Sequence, residues 1–212
     1  MRSGLFITFE GSEACGKTTQ IQRLAAHFTA IGRESIVTRE PGGTPAGEAI
    51  RDLVKHSKQG WNLTPEAELL LFTASRAQLT RELIQPALNA GRVIISDRYL
   101  DSTTVYQGIA RKIDSQTVKR INDFAVGDCL PDITFLFDLD VATAFERLAQ
   151  RNDVADRIES QPTAFFEAVR RGYLELAQKE SQRFVIIDAA KSEDEIEAEI
   201  WATLTARCAD KI

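Results

Sequence analysis

The stretch GSEACGKTT, residues 11–19, decides how the rest of the chain is read. Gly11, Gly16, Lys17 and Thr18 occupy the fixed positions of the pattern GxxxxGK[ST]. A short apolar run, LFITFE (5–10), ends directly before it. KTTQIQRLAAHF (17–28) comes next, with Ile21, Leu24, Ala25 and Phe28 at helical spacing. The pattern alone recurs by chance; a strand before it and a helix after it give it meaning. Such a turn aims successive backbone N–H groups inward at a helix start, which carries partial positive charge. In this cradle Gly11, Ser12, Glu13, Ala14, Cys15 and Gly16 wrap a phosphate chain. Lys17 is placed to reach β- and γ-phosphates, and the Thr18 hydroxyl to bind Mg²⁺. Thr19 closes the group, with packing or capping as its alternative role.

Working outward, SIVTRE (35–40) reads as a second strand, stopped by Pro41-Gly42-Gly43. TPEAELLLFTASRAQLTRELIQPAL (64–88) reads as a long helix with a cap at Thr64, Pro65 at its first position and a break before Pro86. RVIISD (92–97) reads as a strand buried on both faces, SQTVKRINDFAV (115–126) as a helix and ITFLFDL (133–139) as a strand. VATAFERLAQR (141–151) reads as a helix, RFVIIDA (183–189) as the fifth strand and SEDEIEAEIWATL (192–204) as a closing helix. Five apolar strands separated by helices predict an α/β fold: a parallel sheet covered on both faces. With no repeat and no interdomain linker, residues 1–212 read as one domain. RNDVADRIESQ (151–161) is strongly charged and lies between helices, which suits a solvated loop or a lid closing over a ligand.

The 212 residues carry a net charge of −5 and are 43% hydrophobic, ordinary for a globular chain and contrary to a general nucleic-acid binder. Cys15, Cys129 and Cys208 show no CxxC spacing, so reduced thiols and no zinc site are expected. The start runs straight into a strand-like segment and no apolar run approaches membrane-spanning length. Cytoplasmic location and no membrane partner are the expectation.

Whether phosphate is moved or only held depends on the residues after the third strand. The NKxD and DxxG segments of a GTPase switch are absent from the sequence. The segment DRYLDSTTVYQG (97–108) stands there instead. Parallel sheets bind ligands at the carboxyl ends of their strands, so Asp97 and Arg98 should sit beside the phosphate loop. Asp97 suits a magnesium-linked or arginine-orienting carboxylate, and Arg98 a bidentate phosphate contact.

FEGSEACGKTT, TREPGGT (38–44), LFTASRAQL (71–79), DRYLDSTTVYQG and DRIE (156–159), in that order, resemble bacterial thymidylate kinases over nearly the whole chain. The resemblance implies a P-loop NTPase, nucleoside monophosphate kinase fold of three layers with a small lid. It implies transfer of the ATP γ-phosphate to dTMP with Mg²⁺, and a homodimer. Phe72 resembles the aromatic that stacks on thymine, although a core position explains it nearly as well. Arg76, one turn later, matches an arginine that contacts the base or its phosphate. Thr103 and Thr104 stand where a side chain reads the base edge, and Tyr106 where a ring crowds the 2′ position. Gln107 lines the pocket or serves a turn. Glu13 matches the carboxylate near the acceptor 3′-hydroxyl, and Glu40 and Pro41 the acceptor-side loop. Arg39 and Arg51 are weaker candidates for the acceptor phosphate.

Because Ala14 replaces the loop arginine of one branch of that family, the catalytic arginine is expected from the lid. Arg151 and Arg157 are the candidates, with DRIE favouring Arg157. Ala14 also replaces a common glycine, so its Cβ constrains the loop backbone. Adenine contacts are expected near Arg147 and after Asp188. Two other readings stand beside this one: a kinase for another deoxynucleotide or nucleoside, and a nucleotide-binding switch with no acceptor.

Overall fold

A computed structural model describes residues 3–55, 62–150 and 156–212. Strands β1 (Leu5–Gly11), β2 (Ser35–Arg39), β3 (Val93–Asp97), β4 (Ile133–Asp138) and β5 (Phe184–Asp188) form one parallel sheet in the order β2-β3-β1-β4-β5. Helices α1 (Lys17–Ala30) and α2 (Pro45–Lys55) flank β2 in sequence. Helix α3 (Pro65–Leu79), a π-helical turn (Thr80–Ile84) and α4 (Gln85–Asn89) lead into β3. Then come α5 (Leu100–Thr103), a second π-helical segment (Thr104–Ala110) and α6 (Ser115–Val126). Helices α7 (Val141–Ala149), α8 (Thr163–Lys179) and α9 (Glu193–Arg207) complete the order.

The layering follows from alternation along the strands. Leu5, Ile7 and Phe9 point to one face, against Ile21, Leu24 and Phe28 of α1 and Ile196, Ile200 and Leu204 of α9. Phe6 and Ile94 point to the other, against Leu79, Ile84, Leu88 and Tyr99. Beside them Leu136 and Phe184 meet Val105, Val169 and Tyr173. Each fully buried Leu, Ile or Phe stabilises the fold by ~1.5–3 kcal/mol, so the apolar strands hold both helical layers. Thr8 and Glu10 are polar exceptions inside β1; Thr8 hydrogen-bonds Thr134 at 2.7 Å.

Register brings the loops together. Phe9 pairs with Asp97, Arg39 with Asp97, and Gly11 with Phe137, so residues 10–19, 40–44 and 98–108 leave the sheet at one rim.

The helical stretch expected to break before Pro86 does not break. It widens: Gln85 N–H bonds the Thr80 carbonyl, and this π turn lets the chain continue through a residue that lacks an N–H. Helix α2, not read from sequence, starts at Pro45, directly after Thr44, whose hydroxyl accepts the Gly47 N–H at 3.0 Å. The helix expected over 141–151 ends at Ala149.

Helix α8 crosses the second π segment closely because Gly172 has no side chain. A Cβ there would lie 2.8 Å from Ile109 Cδ1 and 3.2 Å from Val105 Cγ1. Gly172→Leu is therefore expected to destabilise the protein by about 1–3 kcal/mol through overpacking. Urea unfolding measures this, and a loss below about 0.5 kcal/mol would contradict so close a crossing.

Candidate active site

One cavity opens at the rim where the loops converge. The phosphate loop from Glu13 to Thr19 forms one wall, and Asp97, Arg98, Ser102, Thr103, Tyr106 and Gln107 form another. Glu40, Pro41, Arg39, Arg51, Lys55, Phe72, Asp156 and Ile158 close it. The Glu40–Pro41 peptide is cis.

The phosphate loop has the backbone its sequence requires. Gly11 and Gly16 have φ of 138° and 92°, and Ala14 has φ of 54°, left-handed despite its Cβ. The Cβ that replaces the expected glycine is accommodated at some strain. Lys17 is buried, and its ammonium donates to the carbonyls of Ser12 at 2.7 Å and Gly11 at 3.4 Å. Among the described residues no carboxylate pairs with it, so the cation faces the bed of the loop and is free to meet a phosphate.

Arg98 has the reverse arrangement. Its backbone is left-handed, φ 70°. Its guanidinium donates to the Gly11 carbonyl at 2.8 Å and Glu13 Oε1 at 2.7 Å, and lies 5.2 Å from the centre of the Tyr106 ring. Burial works to raise the Glu13 carboxyl, but Arg98, Lys17 and Lys55 outweigh it and hold the group below the usual carboxylate range. Burial likewise holds the Tyr106 phenol above its usual value.

Several buried polar atoms of the cavity wall lack a protein partner among the described residues: Asp97 Oδ1, Glu40 Oε1 and the Tyr106 hydroxyl. Buried polar groups are normally hydrogen-bonded, so orphans gathered at one cavity mark ligand contacts. Asp97 and Thr18 both line this cavity, and a carboxylate with a hydroxyl offers the oxygen donors that suit Mg²⁺.

The expected residues divide in an instructive way. Phe72, Thr103, Tyr106, Gln107, Arg51, Glu40 and Pro41 line the cavity. Gly11 and Ser12 lie just behind it, against Phe137. Thr104 faces away: its hydroxyl donates to the Leu100 carbonyl and accepts from Asn122. Arg76 is buried beneath the wall, and its five N–H groups meet Glu40, Thr103, Asn122 and the Tyr99 carbonyl. A direct contact with a base would require it to give one of these up. Arg147 donates to the Ala189 carbonyl at 3.2 Å, beyond β5 and apart from this cavity. Arg157 does not reach the cavity either. It donates to the Val54 carbonyl at 2.9 Å and pairs with Glu68 at 2.6 Å. Arg151 and the rest of 151–155 lie outside the described residues.

Sequence reading missed Ser102, Lys55, Asp156 and Ile158 as wall residues. Lys55 pairs with Asp156 at 2.7 Å, which draws the stem of the charged segment against α2. The missed signal for α2 was Ile50, Leu53 and Val54 at helical spacing. The buried Glu68 carboxylate, one turn before Phe72, gathers Gln107, Arg111 and Arg157 and so ties three walls together.

Glu40 gives the site a pH signature. Both Arg76 contacts go to Oε2, at 2.7 and 2.6 Å, and Oε1 is left bare. Burial, opposed by Arg76, pushes this carboxyl up to about 7. The folded chain then keeps a proton that the unfolded chain releases above its ordinary value of 4.5. The stability it contributes is complete below pH 4.5 and is lost as pH rises through about 7. The slope is at most ~1.4 kcal/mol per pH unit, and Glu40→Gln should flatten it. Urea unfolding of both proteins between pH 5 and 8 checks this; parallel curves would show Glu40 ionised in the fold.

The comparisons with known proteins agree with this geometry. The family model described as thymidylate kinase matches residues 9–200. A thymidylate kinase from Deinococcus radiodurans is 45% identical over 207 residues, covering 98% of this chain and 99% of that protein. One from Syntrophotalea carbinolica is 43% identical over 203 residues, covering 93% and 94%. The crystal structure of a thymidylate kinase from Ehrlichia chaffeensis superposes with a TM-score of 0.74 at 33% identity, covering 95% of this chain and 98% of that one.

Proposed function

The chain belongs to the thymidylate kinase family, and on that premise we propose how its own residues carry the reaction. The reaction is transfer of the ATP γ-phosphate to dTMP, giving dTDP and ADP. The readings as a nucleotide switch and as a kinase for another acceptor are set aside by the family. One observation carries the assignment of roles: the phosphate loop and the 97–107 segment line the same cavity.

Lys17 turns from the loop carbonyls to the β- and γ-phosphates of ATP. Arg98 holds the acceptor 5′-phosphate, while Glu13 takes the sugar 3′-hydroxyl and keeps Arg98 aimed. Phe72 stacks on thymine, Thr103 reads the base edge and Tyr106 crowds the 2′ position. Gln107 and Pro41 shape the base end, and Arg51 and Arg39 add positive potential near the acceptor phosphate. Arg76 and Thr104 hold these groups from behind. Thr18 and Asp97 are the residues that would hold Mg²⁺, which when bound would supply neutralisation of phosphate charge. The acceptor phosphate is already ionised, so alignment and charge neutralisation suffice and no strong base is needed. Within one domain, the lid expected over 151–161 has its described part at 156–161, where Asp156 and Ile158 line the cavity; 151–155 lie outside the described residues. Arg157 contributes directly only if it leaves Glu68, which makes Arg151 the competing lid cation. Arg147 fits the adenine end near Ala189.

No helix among the described residues is long and apolar enough to cross a membrane, and we place the protein in the cytoplasm without nucleic-acid or membrane partners. We also propose a homodimer. Helices α3 and α6 pack together and leave Leu70 and Phe124 57% and 82% exposed. A second copy covering these side chains would remove that apolar surface from water.

ADP release coupled to a reporter should depend on dTMP, be lower with dUMP and be negligible with thymidine. The thymine methyl is worth ~1–3 kcal/mol, so dUMP should be ~10–200-fold poorer. Lys17→Ala should lower kcat by at least ~10³-fold with the melting temperature little changed. ADP release that ignores dTMP, or full turnover in Lys17→Ala, would overturn these roles. Separately, Phe124→Glu should convert the dimer to a monomer in analytical ultracentrifugation; an unchanged dimer would move the interface elsewhere.

A further inference from the structure

Glu10 is the last side chain of β1 before the phosphate loop, fully buried, and it does not line the cavity. A carboxylate there is tolerated only if its lone pairs are met. Its Oε1 accepts the backbone N–H of Tyr99 at 2.8 Å and of Ser102 at 3.3 Å. Its Oε2 accepts the hydroxyls of Ser102 and Tyr173, each at 2.7 Å. Burial and nearby Asp101 raise the carboxyl above its usual range, against the pull of Arg98 and the two hydroxyls. The two backbone groups can only donate, which fits a carboxylate.

The same two hydroxyls face Arg98. Its Nη1 donates to Ser102 Oγ at 3.2 Å and to the Tyr173 oxygen at 3.3 Å, and these two oxygens lie 2.9 Å apart. A guanidinium has donors only. A hydroxyl can accept from it only when its own proton points elsewhere, and Glu10 Oε2 is where both protons can go. Burial, with the charge of Glu10, holds the Tyr173 phenol well above its usual range, so it keeps its proton. Through Tyr99 N–H and Ser102 N–H, Glu10 also fixes the turn that gives Arg98 its left-handed backbone.

We infer that Glu10, Ser102 and Tyr173 form an orienting set of oxygens that aims the Arg98 guanidinium at the acceptor phosphate, with Glu10 and Tyr173 as positioning residues that do not touch substrate. This rests on the reading of Arg98 as the acceptor-phosphate arginine. Because Tyr173 lies on α8, directly after the described lid stem at 156–161, the set also connects that helix to Arg98.

Steady-state kinetics of Glu10→Gln, Tyr173→Phe, the double variant and Arg98→Lys test it. A carboxamide at position 10 donates where the carboxylate only accepted, and so turns a hydroxyl away from Arg98. We expect kcat to fall ~30-fold in Glu10→Gln and ~10-fold in Tyr173→Phe, with KM for ATP within about two-fold of wild type. The double variant should be no worse than Glu10→Gln alone, since both act through one guanidinium. Arg98→Lys should lose at least ~100-fold. Near-normal kcat in both positioning variants beside a collapsed Arg98→Lys would overturn the orienting set and leave the Arg98 reading intact. A normal Arg98→Lys would overturn both. Penalties that multiply in the double variant would also overturn the set. Should Glu10→Gln fail to fold, Tyr173→Phe decides: a kcat loss at unchanged KM for ATP supports the set, and a melting-temperature loss at unchanged kcat refutes it.

Discussion

The triphosphate of ATP and the single phosphate of dTMP, both anions, have to meet end to end, and the cations that allow this repel one another as well. The rim of the sheet meets this constraint by giving most of its arginines a carboxylate. Arg98 has Glu13, Arg111 and Arg157 share Glu68, and Lys55 has Asp156, while Glu40 beside Arg76 supplies its charge only as pH rises through about 7. The net charge of the rim therefore stays modest before ligand arrives, and each guanidinium is held at a fixed angle. Lys17 and Arg51 are the exceptions among the described residues of the rim: Lys17 bonds the Gly11 and Ser12 carbonyls of its own loop, and Arg51 bonds the Pro41 carbonyl. A cation without a counter-ion is the one whose attraction to an incoming phosphate is least compensated.

The sheet makes this arrangement possible through register rather than through any single contact. Asp97 is paired with Phe9 on one side and Arg39 on the other. The loops after β1, β2 and β3 then leave at one level. Inside β1 the alternation that buries Leu5, Ile7 and Phe9 on one face sends Thr8 and Glu10 to the other, toward α5 and α8. A buried charge is thus placed at the end of the central strand by the same period that builds the core. A one-residue slip would reverse both.

What the sequence made legible was local. Gly11 to Thr18 could be read because a turn, a strand end and a helix start lie within a dozen residues, each with its own signal. The five strands were legible because parallel strands buried on both faces are nearly continuous apolar runs. Arg98 was reached from its place at the carboxyl end of the third strand, Phe72 and Tyr106 through resemblance to a family, and all three line the cavity. Glu10, Glu68 and Arg157 were not legible in their actual settings. Glu10 meets Tyr173 across 163 positions, and Glu68 meets Arg157 from another part of the chain. No window of sequence contains both partners. The π segments were hidden for another reason: Thr80–Ile84 has ordinary helical composition, Thr104–Ala110 carries Gly108 and β-branched residues that favour no helix, and only packing shows the wider turn.

Arg157 shows how far a motif can mislead about orientation while still marking the right place. Its neighbours Asp156 and Ile158 both line the cavity, and Arg157 between them points the other way, to Glu68 and the end of α2. Arg157 is not fully satisfied where it lies, because its Nη2 is buried with no partner among the described residues. Glu68 would still hold Gln107 and Arg111 if Arg157 left it. The ion pair is therefore asymmetric. Its carboxylate is bound from three sides and its guanidinium is not, so whatever strength the contact has serves the walls of the acceptor cavity more securely than it fixes the arginine.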